Sequence, residues 1–112
     1  ALRRLRLLKG EPIALQHTCL RGDLCGPIHA SDLEEGSLYH LLEDRGVCIE
    51  RATQSFTACM PTKSHRRLLA LPEHTPLLYT ERTSFLKNGT TLEFSRCWYS
   101  SSRFSMIVEL KR

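Results

Sequence analysis

Leu77-Leu78-Tyr79-Thr80-Glu81-Arg82-Thr83-Ser84-Phe85-Leu86-Lys87-Asn88-Gly89-Thr90-Thr91-Leu92-Glu93-Phe94-Ser95-Arg96-Cys97-Trp98-Tyr99-Ser100 is the stretch that decides the fold. Two strand-like runs, Leu77 to Leu86 and Thr91 to Ser100, meet at Asn88-Gly89. Asn-Gly favours the left-handed backbone that a tight primed turn demands, so the stretch reads as a β-hairpin. In the second run Glu93, Ser95, Cys97 and Tyr99 alternate onto one side, with Leu92, Phe94 and Trp98 on the other. A period of two does not decide whether that polar side meets solvent or floors a pocket. Asn88-Gly89-Thr90 also matches a glycosylation sequon, but it reads as the turn itself.

Outward from the hairpin, Phe104 to Leu110 supplies one more strand-like run. Upstream, Pro61-Thr62 caps a helix whose apolar face is Leu68, Leu69 and Leu71, and Pro72 ends it. Val47 to Met60 has strand composition and is long enough to bend or carry a bulge. Leu38, Leu41 and Leu42 fall at helical spacing, with Ser37 as N-cap and Gly46 as the stop. Arg21 to Gly36 reads as loop with one short helical turn around Ser31 to Glu34. Residues 1–8 alternate as a strand, Lys9-Gly10-Glu11 turns, and Ile13 to Leu20 returns as the second strand of a hairpin. The order β-β-α-β-α-β-β-β predicts an α+β domain, a largely antiparallel sheet with helices packed on one side. A chain of 112 residues suffices for one such domain and not for two.

Bulk properties exclude several classes. A net charge of +4 suits an anionic partner, whether nucleic acid or a phosphorylated metabolite. The positive residues are scattered, however, with Arg3-Arg4, Arg66-Arg67 and Lys111-Arg112 the only tight pairs and no basic stripe interleaved with aromatics, which argues against direct nucleic-acid binding. No apolar run approaches the roughly 20 residues that span a bilayer, and the N-terminus alternates charge and leucine unlike a signal peptide. A cytoplasmic protein without membrane contact is the expectation. The five cysteines are odd in number and form no C-x-x-C pair, and no histidine sits at zinc-site spacing from one, so they read as reduced thiols with no metal. There is no phosphate-cradling Gly-rich loop, no G-x-S-x-G elbow and no H-E-x-x-H, so no catalytic residue and no cofactor is expected. His17, His29, His40, His65 and His74 read as surface or hydrogen-bonding residues rather than bases.

Two features have a physical claim to a ligand. Arg4 and Arg6 share one face of the first strand, where two guanidinium forks repel unless an anion lies between them. A solvated strand face accounts for them equally well. Gly36-Ser37-Leu38-Tyr39 opens a helix, whose unpaired N–H groups and a serine hydroxyl suit a phosphate or carboxylate. Ordinary N-capping by Ser37 explains that motif too.

Taken in order, Leu5-Arg6-Leu7-Leu8-Lys9-Gly10-Glu11-Pro12-Ile13-Ala14-Leu15, Gly36-Ser37-Leu38-Tyr39-His40-Leu41-Leu42-Glu43, Leu77-Leu78-Tyr79-Thr80-Glu81-Arg82-Thr83 and Leu92-Glu93-Phe94-Ser95-Arg96-Cys97-Trp98-Tyr99 resemble the UTRA domain. That is the effector-binding domain of the HutC branch of GntR-type bacterial regulators. The resemblance runs from about residue 3 to residue 110 and so takes in nearly the whole chain. It implies a chorismate-lyase-like α+β fold behind an N-terminal winged helix-turn-helix. No such DNA-binding segment lies in residues 1–112, and the leading strand and short helix that usually precede the R-x-R strand are missing, so the chain reads as an N-terminally truncated part of a longer repressor.

The resemblance also implies the site. The anion is expected on Arg4, Arg6, Ser37 and Tyr39, and the rest of the ligand on Glu93 and Tyr99. A glutamate usual after the first hairpin turn is replaced by Gln16, which keeps hydrogen-bonding capacity but loses the charge a ligand amine would need. The usual acidic residue before the arginine of the last loop is Ser102, so that loop is expected to be reshaped. The function implied is that of a repressor's sensing domain, homodimeric, binding a small anionic metabolite such as a sugar phosphate and reaching DNA through the absent segment. The alternatives are a chorismate-lyase-like enzyme and a dimerisation module without an active ligand site.

Overall fold

A computed structural model of the chain describes residues 2–29, 38–72 and 74–111. Strands β1 (Leu2–Leu8) and β2 (Glu11–Leu20) form the first hairpin, β3 (Arg51–Cys59) comes between helices, and β4 (Leu77–Phe85) and β5 (Thr91–Ser100) form the second hairpin. All pair antiparallel in one sheet of order β1-β2-β5-β4-β3. The two hairpins therefore join through β2 and β5, and β1 and β3 are the sheet's edges. This is the α+β architecture the sequence implied.

Both hairpins are where the sequence puts them, but their turns exchange roles. Lys9 and Gly10 are both left-handed, φ 51° and 80°, between the paired residues Leu8 and Glu11, which makes theirs the two-residue primed turn. At Asn88-Gly89 only Gly89 is left-handed (φ 86°), and the closing bond runs from the Leu86 N–H to the Thr90 carbonyl. The loop is thus three residues long, with Gly89 donating back to Leu86 and the Asn88 side chain accepting from the Thr90 N–H at 2.9 Å. Pro12 falls inside β2 opposite Leu7, and the register shifts between Arg6 and Leu7 there, because proline offers no N–H to the ladder.

Among the described residues, three short helices attach to this sheet. The expected loop after β2 contains α1 (Gly22–Cys25), while the helical turn expected around Ser31 to Glu34 lies outside the described residues. Helix α2 (Leu38–Asp44) ends as foreseen at Gly46, φ 77°. The Gly46 N–H donates to Glu43 and the Val47 N–H to Leu42, a Schellman stop, and Val47 turns into the cluster of Cys25, Leu38, Leu42 and Leu92. Helix α3 (Lys63–Leu68) is capped by Thr62, whose hydroxyl accepts from the His65 N–H while His65 Nδ1 accepts from the Thr62 N–H. It covers a second cluster, Leu15, Leu69, Leu77 and Trp98.

Two expectations need correction. The helices do not share one side: α2 reaches Glu93 and α3 reaches Trp98, and these alternate onto opposite faces of β5. Phe104 to Leu110 is not a strand, and Ile107 is 90% exposed. Alternation marks a segment that suits a strand, but a strand exists only when a neighbour's backbone pairs with it. Here the turn at Ser100–Arg103 and the anchoring of Arg103 to the carbonyls of Pro12 and Leu69 lead the chain off the sheet.

Candidate functional site

Register brings one polar face together from all five strands. Arg4 lies opposite Gln16, Gln16 opposite Cys97, Cys97 opposite Thr80, and Thr80 opposite Phe56. One step along, Arg6 aligns with Ala14 and Tyr99; one step back, Thr18 aligns with Ser95, Arg82 and Gln54; beyond that, Leu20 aligns with Glu93 and Ser84. Paired residues project to the same side, so these positions share a face with neighbouring strands about 4.8 Å apart. The question left open by alternation is answered by burial: Glu93 is only 3% exposed, and Ser95, Cys97, Thr18, Thr80 and Ser84 are buried beside it. The polar side of β5 is a buried floor beneath the Tyr39 end of α2, not a solvent face.

Glu93 anchors that floor. Its Oε1 accepts from the Tyr39 hydroxyl (2.8 Å) and the Ser84 hydroxyl (2.7 Å), and its Oε2 accepts from the Ser95 hydroxyl (2.8 Å). The Thr18 hydroxyl stands 3.1 Å behind Ser95. A carboxyl group this deeply buried needs such partners for its oxygens. The Tyr39 hydroxyl accepts in turn from Arg82 Nη1, and Arg82 Nη2 donates to Gln54 Oε1 at 3.2 Å. Burial raises the Tyr39 phenol above its ordinary value, and the Arg82 bond opposes that. Burial alone would lower Arg82, but its bond to Tyr39 and the charge of Glu93 outweigh that and hold the guanidinium above its usual value.

At the β1 end, Arg4 Nη2 donates to Gln16 Oε1 at 3.1 Å. Burial lowers the Arg4 value, the exposed Arg6 guanidinium lowers it further, and Glu93 opposes both. Arg4 Nε is buried and has no hydrogen-bond partner. Burial pushes Tyr99 up to about 12, reinforced by its bond to Cys97, and its ring stacks on Phe104 at 4.1 Å. Burial likewise raises the Cys97 thiol, with the charges of Arg6, Arg4 and Arg82 pulling the other way.

Of the residues expected from sequence, Arg4, Arg6, Gln16, Tyr39, Glu93 and Tyr99 therefore converge on one face. Ser37 lies outside the described residues. Ser102 is paired with Ser100 at 3.0 Å, and Arg103 points into backbone carbonyls away from this face. Sequence reading passed over Arg82, Gln54, Ser84 and Thr18. The available signal was the alternation of Thr80, Arg82 and Ser84 on β4, but nothing local links them to Tyr39 or Glu93.

The family model described as the UTRA domain matches residues 1–105. The HTH-type transcriptional repressor NagR of Bacillus subtilis is 25% identical over 109 residues, which are 97% of this chain and 45% of that protein. The mannosyl-D-glycerate transport/metabolism system repressor MngR of Escherichia coli is 29% identical over 113 residues, 98% of this chain and 47% of that protein. The chain thus spans less than half the length of these relatives. A GntR-family transcriptional regulator from Enterococcus faecalis V583 has the same fold, with a TM-score of 0.85, 24% identity, and coverage of 96% of this chain and 78% of that one.

Proposed function

The chain belongs to the UTRA domain family, and from that premise we propose that it is the effector-sensing domain of a GntR-type transcriptional repressor, with the polar sheet face as its ligand site. The observation that carries the reading is the pairing of Arg4 and Arg6 on that face, with Arg4 Nε buried and lacking an acceptor. Glu93, Tyr39, Ser84, Ser95, Arg82 and Gln54 are engaged with one another, whereas an anion is what two adjacent guanidinium groups lack. Among the described residues of the face, the carboxylate of Glu93 stands alone against the cations Arg4, Arg6 and Arg82, and three hydroxyls already occupy it. The site therefore favours a negatively charged guest, a sugar phosphate or a similar acid.

Gln16 sharpens the choice. Its amide oxygen is taken by Arg4, which leaves the amide N–H groups as what Gln16 can offer a ligand. Such a donor reads a hydroxyl or carbonyl oxygen and offers nothing to an ammonium group. Tyr99 and the remaining acceptor position of Glu93 would read the rest of the molecule, and Ser37, from the family pattern, would join the anion contacts. Binding alters DNA affinity only if the ligand favours one arrangement of the protein over another. The reading places that change in a cytoplasmic homodimer whose DNA-binding part lies outside these residues. The two curated relatives are repressors, which favours a sensor over an enzyme.

Titration calorimetry with a panel of hexose phosphates and sugar acids tests the proposal. Arg6→Ala should weaken binding by about tenfold or more, the worth of one lost charge-assisted contact. An Arg6→Ala protein that binds as tightly as the unaltered chain refutes the anion role, and turnover of chorismate would favour the enzyme instead.

A further inference from the structure

We propose that Arg82 is a positioning residue for this ligand site, acting through the Tyr39 hydroxyl to hold the first turn of α2 over the polar face of the sheet. The inference rests on the reading of Tyr39 as a ligand contact. Arg82 occupies the middle of the face, opposite Ser95 on β5 and Gln54 on β3. Its planar fork holds two partners at once, the Tyr39 oxygen through Nη1 and the Gln54 amide oxygen through Nη2. Gln54 fixes the guanidinium on the sheet side, and the fork then fixes the phenol.

The phenol has two distinct bonds to keep. It donates its proton to Glu93 Oε1 and accepts from Arg82, so one bond comes from β5 and the other from β4. A single bond would leave the ring free to swing about its axis through that contact; two bonds from different strands define its position. The Arg82 guanidinium carbon also lies 5.6 Å from the Tyr39 ring centre, within reach of a cation–π contact. Helix α2 has only seven residues, and its buried apolar anchors are Leu38 and Leu42, so the Arg82–Tyr39–Glu93 chain is the polar half of its attachment. Lysine would supply the charge but not the fork.

The test combines binding with a direct view of the phenol. Glucose 6-phosphate is titrated into the chain and into Arg82→Met, Tyr39→Phe and the double variant. If Arg82 acts through Tyr39, each single change weakens binding about tenfold and the double change goes no further. Losses that multiply to about a hundredfold overturn the proposal, because Arg82 would then act independently. In parallel, tyrosinate absorbance is followed against pH, with the Tyr39 component identified by its loss in Tyr39→Phe. Arg82→Met should move that component upward, and Arg82→Lys, which keeps a cationic donor, should bring it most of the way back. An unmoved Tyr39 titration in Arg82→Met overturns the proposal. Arg82→Gln serves the same comparisons should the methionine variant not fold. If the unaltered chain ignores the sugar phosphate yet the phenol titration shifts, the Arg82–Tyr39 contact stands and the ligand reading of the face is what fails.

Discussion

Ala70 holds a backbone conformation that its side chain resists. It follows α3 with φ 48°, its N–H donating to Arg67 and the next N–H, that of Leu71, to Arg66. That is the same Schellman stop that ends α2, where glycine at position 46 takes the left-handed place without penalty. The sequence marked the left-handed residue only at α2, where Gly46 is a helix-stop residue by type; for α3 it marked Pro72, and the alanine carries no such sign. Ala70→Gly should therefore stabilise the domain by about 0.5–1 kcal/mol, the relief of the Cβ contact less the added freedom of the unfolded glycine. Urea unfolding measures it, and a lower midpoint would show that the alanine is not strained there. The same residue scale explains Gln16: its identity was legible, but only the bond from Arg4 decides which end of the amide is taken up within the chain.

Helix α3 is held to the sheet by a cluster whose polar members accept hydrogen bonds in their neutral form. His65 Nδ1 closes the capping box with the Thr62 N–H, and His17 Nε2 accepts from Arg3 Nε at 3.2 Å. Both imidazoles pack against Trp98, with ring centres 5.0 and 4.9 Å away. Burial lowers both values, and the charges of Arg3 and Arg96 lower His17 further. A histidine whose folded value is depressed binds its proton more readily in the unfolded chain, so its contribution to stability is whole above about pH 6.5 and lost as pH falls below that. The thermal midpoint should drop between about pH 7.5 and about pH 5.5, followed through the emission of the single tryptophan. In a protein carrying both His17→Gln and His65→Gln most of that drop should vanish, and an undiminished drop would place its cause elsewhere. At this scale the sequence read α3 well, since Thr62 is a cap by residue type; that His65 completes the cap and touches Trp98 was not written in any local pattern.

Across the molecule, one side chain ties segments remote in sequence. Arg103 Nη1 donates to the carbonyls of Pro12 (3.1 Å) and Leu69 (2.9 Å), and Nη2 to that of Ala70 (3.3 Å). The start of β2, the end of α3 and the turn after β5 are thereby fastened to one another. Its ion pair with the mostly exposed Glu11, at 3.5 Å, adds little. Arg103→Ala should cost about 2 kcal/mol, chiefly by leaving carbonyls without their charged donor. Denaturant unfolding with an unchanged slope would locate the loss in the folded state, whereas a cost within error of zero would mean water replaces the guanidinium. Glu11→Gln, by contrast, should leave the midpoint nearly unmoved.

By itself the sequence determined the two hairpins, the glycine stop of α2, the Thr62 cap of α3, the alternation that puts Glu93, Ser95, Cys97 and Tyr99 on one side, and a family pattern that named Arg4, Arg6, Gln16, Tyr39, Glu93 and Tyr99. These follow from residue type and spacing, which act within a few residues. Only the tertiary structure decided that β2 and β5 are neighbours, that the helices lie on opposite faces, that Phe104 to Leu110 finds no strand to pair with, and that Arg82 reaches Tyr39 across 43 positions of sequence. Such outcomes depend on which strands exchange backbone hydrogen bonds, and that pairing brings together side chains that no local preference connects.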